Sequence, residues 1–221
     1  STLKNKVLKL TDNGEDIVNG VYIIREGQEI NTFYMSKSAG VDPTTGEQLY
    51  WAYEKNADGS MKPGSEYMTN DATVAAGCKY LQGSRIPDIY GSISSSLKFR
   101  GFDLGLLFTY SLGGKIYDSI YNAMMEPSFV GQTYHRNALR TWTAPGQRTD
   151  VPRTTTTAST QITDRYLVDA SYFAVKNISL GYSLPKGVLG KVGIESLRVY
   201  LSADSPWIFT HLKGMNPQAS F

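Results

Sequence analysis

The side chains that most often do chemistry are scarce in this chain. It has two histidines, His135 and His211, and one cysteine, Cys78, among 221 residues. A general base needs an oriented partner, and a zinc site needs ligands at short spacing. The two histidines are far apart and neither sits in a metal-ligand motif, so both read as plain surface residues. Cys78 has no second cysteine for a disulfide and no metal-spaced partner, and reads as a buried or loop thiol. Oxygen donors gather in Asp12-Asn-Gly-Glu-Asp16 and Asp42-Pro-Thr-Thr-Gly-Glu47. A calcium loop needs a fuller run of carboxylates, and turn formation by Asn, Asp and Gly explains both stretches more simply. The sequence leaves calcium open. Gly113-Gly114 lacks the Lys-Ser/Thr and the flanking helix of a phosphate loop. No nucleophile–base pair stands out, so the expectation is no catalytic residue, no metal site, no cofactor and no enzyme.

Binding chemistry is better represented. The segment Gly113–Ala170 holds Tyr117, Tyr121, Tyr134 and Trp142 with Arg136, Arg140, Arg148 and Arg153. Aromatic faces beside hydrogen-bonding side chains suit sugars or peptides. The same residues serve loop packing or contact with a partner equally well. Tyr121, Trp142 and Tyr134 are the candidate substrate-binding residues. Thr154–Thr157 is a polar run with no chemistry of its own.

The elements that would position these residues are strands. The 15 tyrosines outnumber 3 tryptophans and 8 phenylalanines, and Gly, Ser and Thr are abundant, as in turn-rich all-β proteins. Charge is balanced, 22 Lys+Arg against 20 Asp+Glu, which gives no electrostatic case for nucleic acid. From Ser1 onward there is no basic and apolar leader of the secretory kind, and no apolar run long enough for a membrane helix. In Ile89–Phe99 the set Ile89, Gly91, Ile93, Ser95, Leu97, Phe99 is largely apolar, and the set Tyr90, Ser92, Ser94, Ser96, Lys98 is polar. Phe102, Leu104, Leu106, Phe108, Tyr110 and Leu112 alternate with Asp103, Gly105, Leu107, Thr109 and Ser111. Side chains alternate faces along a strand, so this is a hairpin turning at Arg100-Gly101. Ile178, Leu180, Tyr182 and Leu184 repeat the alternation up to Pro185, as do Leu197, Val199 and Leu201 later. A sandwich alternates too. Strands of about ten residues, aromatics near their ends, short Arg100-Gly101 and Pro185–Glu195 connections and a long Gly113–Ala170 connection favour a transmembrane barrel. The alternative is a secreted β-sandwich that binds glycans.

Seven segments in order resemble the SusC/RagA family of TonB-dependent outer-membrane proteins. They are Asn5–Leu10, Gly40–Gly46, Gly83–Gly91, Phe99–Leu104, Gly113–Asp118, Val175–Pro185 and Ser196–Tyr200. Ser205-Pro-Trp207 departs from the family's usual Asn-Leu pair. The resemblance implies an all-β fold, an antiparallel transmembrane β-barrel of about 22 strands. Residues 1–221 would be the C-terminal part of that barrel, with signal peptide, plug domain and final strand absent. It implies a bacterial outer membrane location and import of oligosaccharides or peptides. The implied partners are a SusD-like surface lipoprotein, TonB acting through absent regions, and outer-membrane lipids, with no nucleic acid.

The topology expected from these readings makes Arg100-Gly101 and Pro185–Glu195 periplasmic and Gly113–Ala170 extracellular. Ile89–Phe99 and Tyr172–Leu184 run inward, Phe102–Leu112 and Ser196–Ala203 outward, and Asn5–Leu10 is a further outgoing strand. Ile30–Ala39 and Gln48–Glu54 are either two barrel strands or a hairpin inside a long outer loop.

Overall fold

The computed structural model describes residues 2–10, 14–125, 133–154, 161–185, 187, 194–212 and 215–219. Asp12, Thr155–Thr157, most of the Pro185–Glu195 connection and Phe221 lie outside the described residues. The chain forms two compact units. One comprises Ser1–Lys4, Ile86–Lys115 and Asp169–Phe221, the other Asn5–Arg85 and Ile116–Val168.

The unit holding Asn5–Arg85 is built from short strands: β1 (Ile17–Asn19), β2 (Tyr22–Ile24), β3 (Thr32–Val41), β4 (Gln48–Ala52), β5 (Tyr67–Thr69) and β6 (Lys79–Ser84). They pair in the order β1-β2-β3-β4-β5, with β6 also on β3. β3 and β4 pair antiparallel, in a sheet separate from the four-stranded one described below. Asn5–Leu10 is not a strand. It runs beside Gly27-Gln28, where Val7 exchanges two backbone hydrogen bonds, and Asn5 Oδ1 accepts from the Ile30 N–H. One residue's bonds do not make a ladder, and no residue of the stretch is fully buried.

Ile23, Phe33, Met35, Tyr50 and Ala52 form buried positions of this sheet. A short helix, α1 (Ala72–Gly77), is capped by the Asp71 carboxylate, which accepts from the Thr73 and Val74 N–H groups. Cys78 ends it, buried against Tyr53, with Sγ donating to the Tyr53 carbonyl. A second short helix, α2 (Ser119–Met125), sits beside a cluster of Met125, Val151 and Tyr166. Neither helix shows in the sequence pattern, because each is under two turns.

The β3–β4 turn is clasped by residues far along the chain. Asp42 closes it, with Oδ1 accepting from the Thr44 N–H at 2.7 Å and Oδ2 from the Thr45 hydroxyl at 3.0 Å. Trp142 Nε1 donates to the Pro43 carbonyl at 3.0 Å, and Arg153 Nη2 to Glu47 Oε1 at 2.8 Å. The Arg153 and Gly146 N–H groups donate to the Gly46 and Pro43 carbonyls. The Trp142 ring covers Gly46, whose φ is +74°. A β-carbon there would run into the indole.

The other unit is a four-stranded antiparallel sheet. Its strands are β7 (Ile89–Phe99), β8 (Phe102–Leu112), β11 (Tyr172–Ser183) and β12 (Arg198–Thr210), in the order β12-β11-β8-β7. β9 (Lys115–Tyr117) and β10 (Leu167–Asp169) pair as a separate two-stranded ribbon. The turn at Arg100-Gly101 has φ of 45° and 89°, the two left-handed residues of a type I′ hairpin, whose twist matches its strands. The Ser183 N–H donates to the Gly101 carbonyl at 2.8 Å, so β11 closes against this turn.

β12 is longer than the expected Ser196–Ala203. It begins at Arg198 and continues through Ser205, Pro206 and Trp207 to Thr210. Between two rows of paired residues β8 contributes no extra residue, β11 one (Lys176) and β12 two (Ser205 and Pro206). Ser205 has φ of 49°. A bulge tolerates Pro, which has no N–H for the ladder, so the strand passes a residue that reads as a stop.

Three substitutions test these turns. Gly101→Val forces a branched side chain into φ of 89° and to 2.8 Å from the Ser183 carbonyl. Gly46→Ala meets Trp142. Each is expected to cost about 1–3 kcal/mol, the range for local backbone strain, whereas Arg100→Asn stays within about 0.5 kcal/mol because Asn accepts left-handed backbone. Denaturant unfolding reads the first and third, and hydrogen exchange across residues 142–153 reads the second.

Candidate functional site

The register of the four-stranded sheet sorts its side chains. Residues directly opposite each other share a face. Phe99, Phe102, Tyr182 and Val199 make one cross-strand row, and Leu97, Leu104, Leu180 and Leu201 the next. Then come Ser95, Leu106, Ile178 and Ala203, followed by Ile93, Phe108, Val175 and Trp207. Gly91, Tyr110, Phe173 and Phe209 form a fifth row. These five rows make a continuous apolar face, and much of it is exposed: Phe99 is 70% and Leu201 76% accessible. Aromatics concentrate at both ends. Phe102 and Tyr182 rings lie 4.4 Å apart near the Arg100 turn, and Phe108, Phe173 and Phe209 stack at 5.6 and 6.3 Å toward the opposite end.

The reverse face is mostly polar or small. Arg198 donates twice to the Asp103 carboxylate. The two come from β12 and β8, on either side of β11, and meet over Gly181. A β-carbon at 181 would lie 2.6 Å from Asp103 Oδ1. Asn177 Nδ2 donates to Ser202 Oγ at 3.1 Å and Asp204 Oδ1 at 2.6 Å. Among the described residues no helix is long and apolar enough to cross a membrane; strands are a separate matter.

The candidate aromatics Tyr121 and Trp142 have different partners. Tyr121 is half-buried in the cluster around Tyr166. Its ring meets His135 edge-on at 4.9 Å and Tyr166 at 5.8 Å, and its hydroxyl accepts from Asn137 Nδ2 at 2.8 Å. Trp142 is half-buried on the Pro43–Gly46 turn, with its N–H committed there. Tyr134 is 48% exposed. His135 is a cap: its Nδ1 accepts from the Asn137 N–H at the start of the 3₁₀ turn Arg136–Arg140.

Sequence reasoning passed over a second set of aromatics. Lys37 Nζ lies 5.8 Å from the Trp51 ring and 5.4 Å from Tyr80, while Arg25 and Lys79 approach Tyr34 at 5.5 and 5.8 Å. Such cation–π pairs join residues that no short motif links. Burial raises the Tyr80 phenol above its ordinary pKa, and Tyr53 likewise. The Thr44 N–H holds the exposed Asp42 carboxyl below its ordinary value, consistent with a turn role. Among the described residues no three His, Cys, Asp or Glu side chains converge as metal ligands would.

No family model matches the chain. Individual proteins do. It is 28% identical over 230 residues to TonB-dependent receptor P3 of Formosa agariphila, an alignment covering 99% of this chain and 22% of that protein. It is 23% identical over 225 residues to TonB-dependent receptor SusC of Bacteroides thetaiotaomicron, covering 97% of this chain and 21% of SusC. Among solved structures, a chain of the RagAB peptide transporter superposes with a TM-score of 0.73 at 27% identity, over 96% of this chain and 22% of that one. The chain thus spans about a fifth of the length of these relatives. Sequence likeness and fold agree over nearly all its residues, and this chain is similar to TonB-dependent receptors such as SusC and to the RagAB transporter chain.

Proposed function

We propose that this chain is a C-terminal portion of the barrel of an outer-membrane importer. The observation that carries the reading is the exposed apolar face of β7, β8, β11 and β12, set against a polar reverse face. A membrane barrel wall needs that division, apolar toward lipid and polar toward the lumen. From the Phe99 row to the Gly91 row is eight residues, about 27 Å along the strands. At barrel tilts this is a band on the order of 20 Å tall with aromatics at both margins, close to the outer-membrane pattern. A secreted sandwich would need a second sheet over the same face, because a fold of that kind buries it.

In this reading the rest of a plugged barrel of about 22 strands lies in parts of the protein outside this chain. Arg100-Gly101 is a periplasmic turn, and the Gly113–Ala170 connection is extracellular. TonB drives transport through regions not in this chain. A SusD-like lipoprotein covers the outer face, and the cargo is an oligosaccharide or a peptide; the RagAB likeness supports a peptide. Tyr134 presents the most open aromatic to that cargo. Tyr121 and Trp142, each half-buried, are the further candidates.

Two neighbouring substitutions separate barrel from sandwich. Ile93→Arg places a charge near the middle of the lipid-facing band and should lower stability in the membrane by about 2–4 kcal/mol. Ser94→Arg, one residue on and on the lumen face, should leave assembly unchanged. Heat-modifiable gel mobility of the full-length protein in outer-membrane fractions reads both. Equal effects, or a soluble protein, would remove the barrel. Tyr134→Ala should weaken cargo binding by the ~1 kcal/mol of an anchor aromatic, with assembly intact; unchanged uptake would exclude the residue from the cargo surface.

A further inference from the structure

The Arg100 turn carries a cation that the sheet itself does not use. Its guanidinium lies over the Phe99 ring, 5.2 Å from the centroid. Phe99 belongs to the apolar face and is the most exposed aromatic there. Arg100 therefore leans toward the side read as lipid-facing. Two other described cations at this end are placed differently. Lys98 falls on the polar face, directly opposite Asp103, and Arg198 is tied to Asp103 by two hydrogen bonds. The left-handed backbone at Arg100, φ 45°, sets the direction in which its side chain leaves the turn.

Beneath this cation lies an aromatic row, Phe99, Phe102 and Tyr182, with the last two rings 4.4 Å apart. Aromatic rings favour the boundary between acyl chains and headgroups. A long cationic side chain beside them lays its apolar stem on the rings and carries its charge outward. That places the charge at the depth of lipid phosphates, where one Lys or Arg near anionic headgroups adds a definite increment of attraction.

Building on the barrel reading above, we propose that the Arg100 turn, with the Phe99–Phe102–Tyr182 row, is a site for the phosphate of an anionic phospholipid. The guanidinium takes the phosphate oxygens, and the rings hold the first stretch of acyl chain. The site selects headgroups by charge and fixes this end of the hairpin at the membrane surface. It differs from the diffuse apolar contact of the rest of the face in having a headgroup preference that one residue controls.

The test uses full-length receptor purified from outer membranes in mild detergent. Equal amounts of phosphatidylglycerol and phosphatidylcholine are added, and native mass spectrometry counts the lipid retained. Wild type should hold phosphatidylglycerol about fivefold better, the factor of one cation near anionic headgroups. Arg100→Asn, which keeps the turn, should bring the ratio close to one. Lys98→Gln should leave it unchanged. Loss of preference in Lys98→Gln but not in Arg100→Asn, or equal retention of both lipids by wild type, overturns the site. Heat-modifiable mobility is read on the same samples. A wild-type protein without it defeats the barrel reading itself, whereas a folded barrel without headgroup preference defeats only this inference.

Discussion

Alternation in step across four strands is the constraint on which the large sheet depends. Each strand presents successive side chains to opposite faces, so a slip of one residue between neighbours would carry a whole apolar set to the polar side. The register avoids this through three pairings, β7 with β8, β8 with β11, and β11 with β12. Where the spacing widens, it widens progressively: Lys176 is one extra residue in β11, and Ser205-Pro206 are two in β12. The rows on either side keep their faces. Gly181 lets Arg198 and Asp103 meet across β11, a contact that holds only if β8, β11 and β12 are in this register.

The other unit follows a different rule. Its strands are mostly three to six residues long apart from β3, too short for one face to be read from parity. Its order comes from contacts between distant positions, above all the clasp of residues 142–153 on the Pro43–Glu47 turn. Turn chemistry prepares this arrangement. Asp42 satisfies the Thr44 amide and the Thr45 hydroxyl, and Gly46 leaves the room that the Trp142 ring fills. Long-range packing of this kind gives loops defined shapes from which an aromatic such as Tyr134 can project.

This contrast explains what was legible in the sequence. Ile89–Phe99 and Phe102–Leu112 emerge with the bounds that alternation and the Arg100-Gly101 turn imply, because a period of two dominates over eleven residues each. β12 was readable only to Ala203, since a proline and a change of phase resemble an ending when the bulge is not visible. Asn5–Leu10 has strand-like composition, but Val7's two bonds to Gly27-Gln28 are not continued into a ladder. The candidate aromatics were found by type, yet their roles depend on partners far off in sequence: Trp142 on Pro43, Tyr121 on Tyr166. Lys37 between Trp51 and Tyr80 left no trace in spacing.

The central claim is that one face of this sheet meets lipid and the other does not. The most direct measurement places single cysteines at Ile93 and Ser94 in the full-length protein, with Cys78 replaced by serine. Each is labelled with an environment-sensitive fluorophore in bilayers carrying a quencher on the acyl chains. The account predicts strong quenching at position 93 and little at position 94. Equal quenching at the two positions, or quenching at 94 alone, would contradict it.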